Sequence, residues 1–143
     1  MSLLAKLKQL LWNKAEPEHL RRGKLGERAA KSSLRDHGLE FLTANYRSSH
    51  GEIDLIFRDG DCLVFVEVKT RSSEEWARPA AAVNARKRRL LSLTAEDYLR
   101  ALTDRRVKWR FDVVEVLLTN GQVREVRHLR HVFELNTRRP PRR

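Results

Sequence analysis

Apolar positions recur along the chain with two periods. Alternation with period two, rich in β-branched and aromatic residues, predicts strands over 41–46, 51–57, 62–69, 107–118 and 122–129. Helical spacing predicts a helix over 18–36, opened by Pro17 and stopped near Gly38, and a longer one over 80–102. Asp59-Gly60 and Asn120-Gly121 are two-residue hairpin signals. The predicted order is helix, three strands, helix, two strands, with 70–79 a polar loop carrying Trp76. A turn at Asp59-Gly60 would set Arg58 opposite Asp61, Ile56 opposite Leu63, Asp54 opposite Phe65 and Glu52 opposite Glu67.

That register sorts the hairpin into two faces. Ile53, Leu55, Phe57, Cys62, Val64, Val66 and Val68 form an unbroken apolar face. The other carries Glu52, Asp54 and Ile56 with Leu63, Phe65, Glu67 and Lys69, placing Asp54 one diagonal step from Glu67. A slip of one residue would separate them. A hydrophobic strand has no structural use for Asp, Glu and Lys on one face, because an unpaired buried charge costs several kcal/mol or shifts its pKa. Their coincidence points to a divalent-cation site with a lysine beside it.

The helices send further charges inward. On the second, Val83, Leu90, Leu91, Thr94, Tyr98 and Ala101 make one stripe with Lys87 in its middle, while Arg86, Arg88 and Arg89 fan away. On the first, Leu20, Glu27 and Leu34 form a heptad line flanked by Gly23 and Ala30, with Leu25 and Ala29 marking a second candidate face. Alone, each inward charge reads as snorkelling or as half of an ion pair. Beside the strand cluster, both become candidates for the same site.

Composition narrows the partner. The 143 residues fit one domain, and 30 Lys+Arg against 19 Asp+Glu give a formal charge of +11. That excess suits a polyanion, nucleic acid before an anionic membrane surface. One cysteine, Cys62, excludes an internal disulfide, fits a reducing cytoplasm and reads as core packing. No stretch approaches the roughly 18 apolar residues of a membrane span. Residues 1–16 form an amphipathic segment with Leu3, Leu4, Leu7, Leu10 and Leu11 on one helical face, a docking surface for the domain, a protein partner or a second copy rather than a signal peptide. Residues 17–136 make the domain and 137–143 a basic, disordered tail.

Other chemistries are weaker. His128-x-x-His131 lacks the context of a zinc site and reads as surface. Gly23-x-x-Gly26 follows no strand and cradles no phosphate. Ser48-Ser49-His50 has no acid placed to make a triad and reads as a loop. Trp109 shares strand parity with Phe111 and Val113 and reads as core, and Arg110 with Asp112 as a structural ion pair.

Asp54 followed by Glu67-Val68-Lys69 resembles the PD-(D/E)XK nuclease superfamily. The wider set resembles the YraN-like family: Gly23-x-x-Gly26-Glu27, Asn45-Tyr46-Arg47, Gly51-Glu52-Ile53-Asp54-Leu55-Ile56, Phe65-Val66-Glu67-Val68-Lys69-Thr70-Arg71, Lys87 and Arg110-Phe111-Asp112. One departure is that Ile53, not Pro, precedes Asp54. The resemblance implies an α/β, restriction-endonuclease-like fold, a mixed five-stranded sheet flanked by helices, similar in arrangement to Holliday-junction resolvases. It implies a metal-dependent nuclease acting on DNA, branched or single-stranded. Asp54, Glu67 and the Val68 carbonyl would hold Mg²⁺ or Mn²⁺. Lys69 would orient or deprotonate the attacking water, Glu27 would complete a metal shell and Lys87 would contact the scissile phosphate. Arg47, Arg71, Arg86, Arg88 and Arg89 suit contacts to the nucleic-acid backbone. The alternatives are a non-catalytic nucleic-acid-binding protein that keeps the fold, or an adaptor using the N-terminal helix.

Overall fold

The alternating segments pair into one sheet, as shown by a computed structural model that describes residues 2–12, 16–72, 84–102 and 107–133. The elements are α1 (Leu3–Trp12), α2 (Glu18–Asp36), β1 (Glu40–Ser48), β2 (Gly51–Asp59), β3 (Cys62–Ser72), α3 (Ala85–Arg100), β4 (Lys108–Thr119) and β5 (Gln122–Phe133). The five strands lie in the order β1-β2-β3-β4-β5. Each neighbouring pair is antiparallel except β3–β4. Parallel neighbours need a crossover, and α3 lies within it.

The crossover decides the core. Helix α3 covers one sheet face, where Ile53, Ile56, Leu63, Phe65, Phe111 and Val113 pack with Leu91 and Ala95. Helix α2 covers the other, where Leu55, Phe57, Val64, Val66, Val114 and Val116 pack with Ala30 and Leu34. Both faces are therefore buried, as expected where helices flank a sheet on both sides. Trp109 packs edge-on against Phe65 and Phe111, as core. Cys62 is half-buried.

The helical faces differ in detail from the sequence pattern. In α2 the buried line is Gly26, Ala30 and Leu34, with Leu25 and Ala29 beside it, while Leu20 is exposed. Gly26 lies so close to β3 that a Cβ there would collide with the Thr70 hydroxyl. In α3 the buried residues are Leu91, Thr94 and Ala95, while Leu90 and Ala101 are exposed. Asn84 caps α3, its side-chain oxygen accepting the Lys87 amide at 2.9 Å. Val83, Trp76 and the basic tail lie outside the described residues.

The first hairpin turns one residue later than its Asp-Gly signal suggests. Asp59 pairs with Cys62, Arg58 with Leu63 and Ile56 with Phe65, so Gly60-Asp61 is the loop. Gly60 takes the positive φ of +59°, which glycine tolerates better than aspartate. The change slides the pairing by two positions, so the expected alternation is kept across the paired residues 55–59 and 62–66. Asn120-Gly121 turns where its sequence says, both residues at positive φ between paired Thr119 and Gln122.

Candidate functional site

The candidate site lies where β2 and β3 part. Their ladder ends at Leu55–Val66, and beyond it Asp54 Oδ2 accepts the Val68 amide at 2.8 Å. A side chain thus satisfies an amide that the partner strand no longer reaches. The strand bends there. Ile53 joins the α3 core with Ile56, and not the α2 core with Leu55, which corrects the unbroken face expected for it. On the neighbouring strand, Tyr46 pairs with Ile53 and Ala44 with Leu55, while Asn45 between them sits at φ +52°. Asparagine is among the few side chains that visit this region readily. Asn45 is thus part of the kink that aims Asp54, a role that motif matching alone did not reveal.

Four carboxylates surround this point. Burial pushes the Asp54 carboxyl up to about 6; the Val68 amide opposes the shift, while Glu27, Glu67 and Glu52 add to it. Burial, aided by Glu52, also raises Glu27. Glu52 itself lies 3.3 Å from Arg47. Glu67 is nearly buried, and its Oε2 has no hydrogen-bond partner. Its Oε1 pairs with Lys87 from α3, so helical phase does bring Lys87 to the cluster. Burial holds the Lys69 ammonium below its ordinary value; Glu67 and Glu115 pull it back up, and Arg71 and Lys87 push it further down.

Sequence reasoning passed over Glu115. It lies opposite Lys69 in the parallel ladder, fully buried, with Arg71 Nε at 3.9 Å. Its signal was available: one acid inside Val113-Val114-Glu115-Val116-Leu117. Arg71 is largely buried beside it and faces inward, unlike Arg47, Arg86 and Arg89, which are exposed; Arg88 is half-buried. Phosphate contact by Arg71 therefore does not follow from surface position.

Carboxylate oxygens are hard donors of the kind Mg²⁺ takes, and Mg²⁺ keeps several waters instead of demanding an all-protein cage. Among the described residues no three His, Cys, Asp or Glu side chains make such a cage. Glu67 Oε2 has no hydrogen-bond partner among the described residues, although Oε1 is paired with Lys87, and burial together with the neighbouring acids disfavours the charged form of Asp54.

Two polar groups lie outside the cluster. Asp112 is fully buried and accepts from Arg110 Nε at 3.1 Å, from the His131 amide at 3.1 Å and bonds His128 Nε2 at 2.7 Å. Burial would raise its pKa, but these partners hold it below the ordinary carboxylate range. The Arg110–Asp112 ion pair is thus structural, and His128 is a core-facing partner, not a bare surface residue. Ser48-Ser49-His50 does have an acid nearby: Asp97 of α3 meets His50 Nδ1 at 2.7 Å. Ser48 Oγ meanwhile accepts the His50 backbone amide, so the three form a clasp on the hairpin tip and not a nucleophile relay.

A mixed five-stranded sheet flanked by helices, bent where its second and third strands separate, is a restriction-endonuclease-like α/β fold. Residues 26–116 match the uncharacterised protein family UPF0102. The chain belongs to that family, the YraN-like group. It is 40% identical over 111 residues to a UPF0102 protein of Rhodococcus opacus, covering 78% of this chain and 94% of that one. It is 42% identical over 118 residues to a UPF0102 protein of Syntrophus aciditrophicus, covering 82% and 92%. A UPF0102 protein of Moorella thermoacetica is 46% identical over 100 residues, covering 68% and 82%.

Proposed function

We propose that the protein is a metal-dependent nuclease that hydrolyses phosphodiester bonds in DNA, at branched or single-stranded structures, in the cytoplasm. The observation that carries this reading is the junction of β2 and β3, where Glu67, with a buried unpartnered oxygen, is electrostatically coupled both to Asp54, whose carboxyl is raised to about 6, and to Lys69. Asp54, Glu67 and the Val68 carbonyl would hold Mg²⁺ or Mn²⁺, with Glu27 in or behind that shell. Such an ion supplies Lewis-acid stabilisation of phosphoryl charge and lowers the pKa of water.

The chain's own residues account for the rest. The Val68 amide fixes the Asp54 carboxylate. Lys69, its ammonium destabilised by burial, would orient a water or exchange a proton with it. Lys87 neutralises Glu67 and can transfer its ion pair to an incoming phosphate oxygen. Exposed Arg47, Arg86 and Arg89 suit contacts to the phosphate backbone. A protein partner or second copy would cover the exposed leucines of α1.

The test is a cleavage screen of purified protein with Mg²⁺ and Mn²⁺ across duplex, single-stranded, flap and four-way DNA. Cleavage by wild type is expected to fall at least a hundredfold in Glu67→Gln, roughly the loss of 3 kcal/mol of transition-state stabilisation. Equal cleavage by Glu67→Gln would assign the activity elsewhere. Binding without cleavage of any substrate would make the protein a non-catalytic nucleic-acid binder.

A further inference from the structure

Helix α2 carries a second pattern beside its apolar line. Lys24, Arg28, Lys31 and Arg35 follow i, i+4, i+7 and i+11. At 100° per residue they fall within a band of about 60°, extending roughly 16 Å along the helix. Arg28 and Arg35 are exposed, and neither forms an ion pair among the described residues. Lys31 is held over the Phe41 ring at 3.8 Å, which fixes the middle of the band. Lys24 is paired with Glu16.

The band coincides with two surface grooves. Lys24, Glu27, Arg28 and Lys31 line one of about 190 Å³ with Ala44 and Leu55. Arg28, Lys31, Ser32, Arg35 and Asp36 line another of about 510 Å³. Arg28 and Lys31 border both, so the grooves run together. The first reaches Glu27, one of the acids coupled to Asp54. A lane of cations therefore leads to the acidic cluster, while Asp36 stands at its far end.

We propose that this lane of α2 is the track on which the sugar–phosphate backbone of a nucleic-acid strand lies as it leaves the acidic cluster. The inference rests on the nuclease reading of that cluster. The roughly 16 Å of the lane can carry a few successive phosphates of one strand. An anionic membrane surface is disfavoured, because the lane lacks the large apolar side chains by which interfacial helices bury themselves.

The experiment measures equilibrium binding of labelled single-stranded and duplex DNA, with chelator present, across a salt series. Arg28→Glu/Arg35→Glu is compared with Lys108→Glu/Arg100→Glu, which changes net charge equally on exposed sites away from α2. The lane variant is expected to lose about tenfold or more in affinity and to flatten the salt slope by about 2 on duplex DNA, while the control loses far less. Arg28→Gln/Arg35→Gln should show the same order of effect in milder form, and circular dichroism checks that both pairs fold. Equal losses in lane and control variants, with equal slopes, would overturn the track while leaving the nuclease reading standing. Lane-dependent binding by a wild type that cleaves nothing would sink the nuclease reading and keep the track. Binding of anionic vesicles but no nucleic acid would overturn both.

Discussion

At the scale of single residues, the site trades stability for charge. The folded-state pKa of Asp54, about 6, lies above its ordinary 3.8. Between those values the folded protein takes up a proton that the unfolded chain lacks. The associated stability is fully present below pH 3.8 and is lost as pH rises through 6. Asp54→Asn should therefore stabilise the protein at pH 7.5 by about 1–3 kcal/mol, with the gain vanishing near pH 3.8. Urea titrations across pH check this. Mg²⁺ should raise the melting temperature of wild type and not of the variant. Asp112 behaves oppositely. Its lowered pKa means a contribution present above 3.8 and lost as pH falls through its folded value. Asp112→Asn should cost on the order of 3 kcal/mol, because His128, Arg110 and the His131 amide lose a buried charged acceptor. Denaturant melts at neutral pH would show it; a loss under about 0.5 kcal/mol would contradict the structural role.

At the scale of elements, the close approach of α2 to β3 positions Glu27. Gly26 makes it possible, since any Cβ there meets the Thr70 hydroxyl. Gly26→Ala should destabilise by about 1–3 kcal/mol despite the better helix propensity of alanine. Adding Thr70→Ala should recover part of that loss, a coupling that a double-mutant cycle measures. Additive effects would mean that the two residues do not compete for the same space. The five strands occur where the alternation predicts them, and run further than the pattern does at several ends: β1 extends to Ser48, β3 to Ser72 and β5 to Phe133. Polar residues at the ends of β1 and β3 hide the period-two signal, while backbone ladders to neighbouring strands continue it.

At the scale of the whole molecule, α1 stands apart energetically. Leu3, Leu4, Leu7 and Leu10 remain exposed, so the helix contributes none of them to the core. Removing residues 1–12 should leave the melting temperature within about 2 °C of wild type. Thermal melts test this, and a larger fall would place the leucines against the domain in solution. Among the described residues no helix is long and apolar enough to cross a membrane.

Local pattern alone determined the order of helices and strands and the second hairpin turn. Each rests on periodicity or turn chemistry that neighbours in sequence settle. Tertiary structure decided what depends on partners distant in the chain. The parallel β3–β4 pairing placed Glu115 beside Lys69 and buried both sheet faces. Asp97 and His128 found His50 and Asp112 across gaps of 47 and 16 residues. The bend at Asn45 and Asp54, and with it the aim of the Asp54 carboxylate, formed where β2 leaves β3. A strand's side-chain alternation is fixed by its own backbone geometry, but desolvation and charge coupling depend on which elements fold against it, and those set the chemistry of the site.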